Sequence, residues 1–361
     1  MIAIIGAGPV GCYAAALLAG NFKVAVFEEH KEVGLPIQCT GIVTQEIFDF
    51  VPRNNNFIVN QARDVRIFAP NNEFLKLRLD KPDIIVDRQK FDTYFYDLAR
   101  KKGVKFFLNR RFIKIEGSVA FIKDLKSGKT KKFKFSHLIG ADGPLSPVAK
   151  DVGLLKKRKF FTGIQAVVKK RNNNIIDFYP FKEGFCWAVP ENKSTLRIGV
   201  ASLSNPKKQF EELLKRYKGE IIERQGGLIP VFNPSASFFK ENIFLIGDAA
   251  GFVKATTGGG LVPGLKSAEI VAHTINNDVS YTAGLYLNLL PALWLNLKMR
   301  KMMDSFSPED WNALVNDLNS KESKQVLQAV NRDEPFKLLL SVAVKNPKIM
   351  KHGLKHITDF F

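Results

Sequence analysis

The chain has 361 residues and a formal charge of +19, from 54 Lys and Arg against 35 Asp and Glu. Its 45% apolar content excludes a disordered chain, and 26 Gly and 17 Pro exclude collagen-like or low-complexity classes. Three cysteines exclude a disulfide framework and fit a reducing cytoplasm, while the length suits about two domains.

Residues 2–22 carry no formal charge, but no basic segment precedes them and Gly6, Gly8 and Gly11 interrupt them, unlike a secretory signal. Ile2-Ala3-Ile4-Ile5 is an apolar run suited to a buried parallel strand. Gly6-Ala7-Gly8-Pro9-Val10-Gly11 then matches G-x-G-x-x-G, an Ala-rich helical stretch covers 12–19, and a second apolar run over 24–27 ends at Glu28. Gly6 permits the tight turn, Gly8 lets backbone approach a pyrophosphate, and Gly11 lets helix and strand pack closely. Glu28 stands where an acid binds a ribose diol. The pattern predicts a dinucleotide site without separating NAD from FAD.

Further along, Ile139-Gly140-Ala141-Asp142-Gly143 closes an apolar run. Alternating runs at 160–170, 175–181, 184–189 and 195–201 predict an antiparallel sheet, to which 64–79 adds strands, and 206–217 predicts an amphipathic helix. Phe178, Tyr179, Phe181, Phe185 and Trp187 form its candidate aromatic wall. Ile243 to Gly251 reads as a strand leading into Asp248 and small residues, and Thr257 to Leu261 opens a helix over 262–276. A second helix N-terminus would thus face the crevice served by the first. The uncharged stretch 279–297, interrupted by Asn288, Pro291 and Asn296, reads as a buried or interfacial helix rather than a membrane span. His352 and His356 have helical spacing but no third ligand nearby, so no metal is expected.

The predicted fold class is therefore α/β with two domains. A discontinuous Rossmann-like dinucleotide-binding domain takes 1–50, 80–155 and 240–280. An antiparallel-sheet substrate domain takes 51–79 and 156–239, and a helical C-terminal region takes 281–361, with no job assigned beyond residue 300.

The glycine fingerprint, the Gly-Ala-Asp-Gly segment and Gly247-Asp248-Ala249-Ala250-Gly251 resemble the FAD-dependent enzymes of the para-hydroxybenzoate hydroxylase fold. Gly34-Leu35-Pro36-Ile37-Gln38-Cys39-Thr40-Gly41 and Phe185-Cys186-Trp187-Ala188-Val189-Pro190 narrow the likeness to geranylgeranyl reductases, over about residues 1–300. Two departures are Val189, where that family has Phe, and Ala255, where it often has Pro.

The resemblance implies FAD as cofactor, with Gly6, Gly8, Val10 and Gly11 at the pyrophosphate and Glu28 at the adenosine ribose. It places Cys39, Thr40 and Gly41 along the flavin, with Cys39 as a possible proton donor or gate; a buried structural cysteine is the other reading. Arg88 would contact the flavin, Phe112 would lie near the adenine, Asp248 would bind the ribitol or pyrophosphate, and Gly260 and Leu261 would meet the ring. Phe178, Phe185, Trp187 and Pro190 would receive a polyprenyl lipid substrate. Cys12 and Cys186 read as inert.

The implied activity is reduction of isoprenoid double bonds in membrane-lipid precursors, with a ferredoxin or NAD(P)H as electron donor. The basic excess then points to an anionic membrane surface and a peripheral, cytoplasmic location. Nucleic acid is not expected, because no helix-turn-helix, RNA-recognition or zinc motif accompanies the charge. The alternatives are a monooxygenase or halogenase of the same fold and a non-catalytic flavin- or lipid-binding protein. Phe185 in place of the first Trp of the paired halogenase motif counts against the halogenase.

Overall fold

A computed structural model describes residues 1–53 and 56–355. Ile2–Ile5 is fully buried and pairs in parallel with Val24–Glu28 on one side and His137–Gly140 on the other. Such a strand must be apolar throughout because it is buried on both faces, among helices and a three-stranded sheet over 110–116, 119–124 and 130–134 whose Phe133 packs on Phe27. Lys105–Leu108 and Ile243–Leu245 extend the sheet in parallel, and Phe239–Lys240 adds an antiparallel edge, giving six strands. Helices Pro9–Leu18, Arg88–Lys101 and Leu261–Asn277 pack together beside it.

The second body is an eight-stranded sheet. Its strands lie in the order 220–230, 160–169, 195–202, 184–192, 175–181, 58–68, 74–86 and 42–43. The sequence predicts an antiparallel sheet, and all but one of its pairings are so. Ile175–Phe181 runs parallel to Ile58–Phe68, with Asp177 opposite Arg66. At that seam Arg66 grips Asp177 with Nε at 2.6 Å and Nη2 at 2.8 Å, a bidentate pair on an almost fully buried carboxylate. The strand Phe74–Val86 also runs straight through the domain boundary expected at residue 79. Its C-terminal end reaches Asp87, whose side chain accepts from Lys90 N and caps the helix holding Arg88.

The stretch 279–297 is not one helix. It splits at Leu289 into Tyr281–Asn288 and Leu290–Ser305, as Pro291 in the second helix's first turn would favour. Among the described residues no helix is long and apolar enough to cross a membrane. The C-terminal helices do not trail away. Pro308–Leu318 and Lys321–Ala329 pack against Phe74–Val86, with Val315 and Leu327 meeting Leu75 and Leu77. His352 bonds Asp317 at 2.7 Å, and His356 lies outside the described residues.

Candidate functional site: a cavity between two sheets

One cavity of about 1490 Å³ lies between the two sheets. It exceeds the few hundred to about 1,000 Å³ of a single small-ligand pocket, which suits a dinucleotide with a second ligand beside it. Its first end is built by the glycine turn. Gly6 adopts φ +102, and a Cβ there would sit 2.3 Å from Ala141 O, so only glycine fits. A Cβ on Gly8 meets no protein atom within 4 Å, so that backbone is open to the cavity.

Helix Pro9–Leu18 starts at Gly8 and helix Leu261–Asn277 at Gly260, each without a side-chain cap, and both starts line the cavity. Their uncapped N–H groups and dipoles leave two sites for negative charge, as the sequence predicts. Glu28 closes its strand and accepts from Ala7 N and His30 N, each at 2.8 Å. Phe112, buried, lines the same end, as do Arg110 and Arg111.

Asp248 reaches the cavity from the short helix Gly247–Ala250. Burial raises its pKa, while the charges of Arg88 and Arg158 oppose the rise. Arg158 is a residue that the sequence reading passed over. Its guanidinium donates to the carbonyls of Pro144, Asp248 and Ala249, joining the Gly-Ala-Asp-Gly turn to the Gly-Asp-Ala-Ala-Gly turn. Arg88 pairs with Asp92 at 3.0 Å, close enough to the Cys39 side chain to feel its charge. Burial works against its charge, but Asp92 and Cys39 outweigh it and raise the pKa. Cys39 Sγ also accepts from Gly41 N at 3.3 Å.

Asp142 has the clearest titration. Burial pushes its carboxyl up to about 6, although Ser146 Oγ donates to it at 2.7 Å and Val148 N at 2.9 Å. A folded pKa above the ordinary 3.8 means the folded chain holds the proton more tightly. Its stabilising contribution is complete below about pH 3.8 and is lost as pH rises to about 6. Asp142→Asn should therefore gain about 3 kcal/mol on the wild type between pH 3.8 and 7. Paired denaturant titrations across that range check this, and a pH-independent difference would refute it.

Phe178, Phe185 and Trp187 line the other end of the cavity. Phe178 and Phe185 stack at 5.4 Å, and Trp187 lies 5.8 Å beyond Phe185. Tyr179 and Phe181 do not share this wall, because alternation along the strand turns them into a separate cluster with Phe210 and Leu213. Pro190 is buried outside the cavity, beside the strand Thr195–Ser202. Cys186 likewise turns away from the wall, and Cys12 is buried in the first helix.

Gln165 joins the two ends. Its Oε1 accepts from Thr40 Oγ1 at 2.6 Å and from Trp187 Nε1 at 3.1 Å, so one amide fixes both the Cys39 loop and the aromatic wall. Arg197 holds the same loop, donating to Thr40 O at 2.5 Å and Val86 O at 2.9 Å. Neither residue has a local sequence signal. The Trp187 indole packs on Gly199, where a Cβ would be 2.2 Å from it. Gly199→Ala must displace that ring, and should shift Trp fluorescence, lower turnover about tenfold and cost about 1–3 kcal/mol of stability.

The C-terminal segment 331–334 also lines the cavity. Asp333 accepts from both Lys254 Nζ and Thr44 Oγ1, Arg332 grips Asp83 at 2.6 and 2.7 Å, and Asn331 donates to Glu46 at 2.9 Å. Burial presses the Lys254 ammonium toward its neutral form, with Arg332 adding to the pressure and Glu46 and Asp83 opposing it. Lys254 sits in the turn before Gly260, so the tail is tied to the loop opening the second helix. Among the described residues no group of His, Cys, Asp and Glu is arranged to hold a metal.

Residues 4–61 match the model of an NAD(P)-binding Rossmann-like domain. Over 97% of its length, the chain is 26% identical to a digeranylgeranylglycerophospholipid reductase of Methanococcus vannielii, 96% of which is covered. A geranylgeranyl bacteriochlorophyll reductase-like structure from Thermoplasma acidophilum superposes with a TM-score of 0.84 at 21% identity, over 98% of both chains. A flavin-dependent brominase superposes with a TM-score of 0.64 at 17% identity, over 98% of this chain and 99% of that one. At that identity the brominase shares the fold alone.

Proposed function

We propose that this chain, a relative of the digeranylgeranylglycerophospholipid reductases, is an FAD-dependent reductase that saturates isoprenoid double bonds of membrane-lipid precursors. The observation that carries the reading is the continuity of the cavity, from the Gly6–Gly11 turn to the Phe178–Phe185–Trp187 wall. The residues present suit the cofactor: an open Gly8 backbone, two uncapped helix starts, Glu28 at one end and Asp248 beside Gly260. Bound and reduced, FAD supplies a hydride to one alkene carbon, and a proton completes the other.

The chain's own work is placement and exclusion of water. The three aromatic rings seat an apolar chain, while Gln165 holds Trp187 and Thr40 at fixed separation. Cys39 Sγ, which accepts from Gly41 N, is our candidate for the proton donor. On this reading Cys39→Ala retains flavin but loses turnover by about 10²-fold or more. Retained turnover would return Cys39 to a structural role.

The direct test is anaerobic. The flavoprotein is reduced with dithionite and mixed with a geranylgeranylated glycerophospholipid, and lipid mass is followed. A gain of two hydrogens per double bond with flavin reoxidation supports the reading. Bound flavin with unchanged lipid refutes it. Repeating the reaction with NADPH or reduced ferredoxin in place of dithionite identifies the electron donor.

A further inference from the structure

Helix Pro335–Lys345 reads PFKLLLSVAVK and is apolar around most of its circumference. Such a helix is normally buried on all sides. Here only Pro335 and Val342 are buried, and Leu338 is turned partly inward to line the main cavity. Phe336, Leu340 and Val344, spaced i, i+4, i+8 on one face, are 52%, 68% and 68% exposed, with Leu339 exposed beside them. A contiguous apolar stripe of this size marks an interaction surface.

Charge decides what covers it. Residues 335–355 contain Lys337, Lys345, Lys348, Lys351 and Lys355 and no acid. Lys337, Lys351 and Lys355 face Glu334, Asp317 and Asp310 of neighbouring segments. Lys345 and Lys348 lie within ion-pair distance of no acid among the described residues. A second copy would bring lysines against lysines on a chain already at +19. An anionic bilayer offers apolar depth and opposite charge together.

We infer that helix Pro335–Lys345 is a membrane-docking helix, inserting Phe336, Leu340 and Val344 among anionic lipids and seating the cavity against the bilayer. The choice of a bilayer rests on the reading above, that the substrate is a membrane lipid. Lys337 and Leu338 line the cavity from the same helix, so a docked helix would place the chamber next to the lipid that enters it. The sequence pointed instead to 279–297, where Tyr286, Leu287 and Trp294 are exposed but no stripe runs the length of either helix.

The test is co-sedimentation of the holoenzyme with vesicles of phosphatidylcholine alone or mixed equally with phosphatidylglycerol, without substrate. The wild type should bind the mixed vesicles, and binding should weaken with salt. Phe336→Ser/Leu340→Ser/Val344→Ser should lower partition about tenfold or more while flavin content stays unchanged. Lys345→Glu/Lys348→Glu, which leaves the apolar stripe intact, should lose only the preference for phosphatidylglycerol.

Wild-type partition that neither variant alters would overturn the inference. So would a wild-type dimer in sedimentation velocity that the Ser variant abolishes. Because vesicle binding is read without turnover, failure of the reductase reading appears separately, as unchanged lipid mass in detergent.

Discussion

Asp333→Ala should destabilise the chain by about 1–3 kcal/mol, because it removes the counter-charge of buried Lys254, which must then give up its proton or stay charged without a partner. Both side chains are largely inaccessible, so water cannot substitute for the carboxylate. Thr44 loses its acceptor as well. The damage should be local at first, with the segment between Ala329 and Pro335 leaving the cavity and becoming cleavable by protease. Adding Lys254→Met should recover most of the loss, since an apolar side chain has no charge to strand. Denaturant unfolding of the single and double variants measures both. If Lys254→Met rescues nothing, the loss comes from elsewhere in the tail.

The second expected result separates two glycines of the same turn. A Cβ on Gly11 would lie 2.3 Å from Gly6 O and 3.1 Å from the Ala141 Cβ, so Gly11→Ala must pry the helix from the strand. It should cost about 2–3 kcal/mol and lower the Tm of the cofactor-free chain. Gly8→Ala meets no protein atom, so the cofactor-free chain should melt like the wild type. It should nonetheless bind flavin about 10- to 100-fold more weakly, because the methyl occupies the approach to the pyrophosphate. Melts and flavin titrations on both variants decide it. A Gly8→Ala chain that keeps its flavin would show that the pyrophosphate does not approach there.

The glycine turn, its strand and the acid at residue 28 were legible because each is imposed by local geometry within one βαβ unit. The four strands from Phe160 to Ser202 were legible for a similar reason, since alternation and turn residues are near-neighbour signals. What escaped was every contact between distant segments. Arg332 and Asp83 are 249 residues apart, and Thr44 and Asp333 are 289 apart. Nothing in the run Asn331-Arg332-Asp333-Glu334 says which charges it will meet. Its one signal is a cluster of polar groups between a polar helix and an apolar one. Gln165 escaped similarly, as a glutamine on a strand is normally a solvent-facing residue. Tyr179 and Phe181 were misplaced for an avoidable reason: side chains alternate along a strand, so neither can share a face with Phe178.

The parallel seam has a consequence for taking the protein apart. The strand Ile58–Phe68 finds its outer neighbour only at residues 175–178, after the whole glycine-turn sheet except its last strands has been made. During synthesis the hairpin 58–86 therefore waits with a bare edge, and Arg66 waits without Asp177. Fragments ending near residue 155, which include the Gly6–Gly11 turn that looks self-sufficient in sequence, would keep that edge open and pair it with other copies. Fragments produced together and joined at the seam should stay soluble where either alone aggregates, making residues 155–159 the natural place to divide the chain.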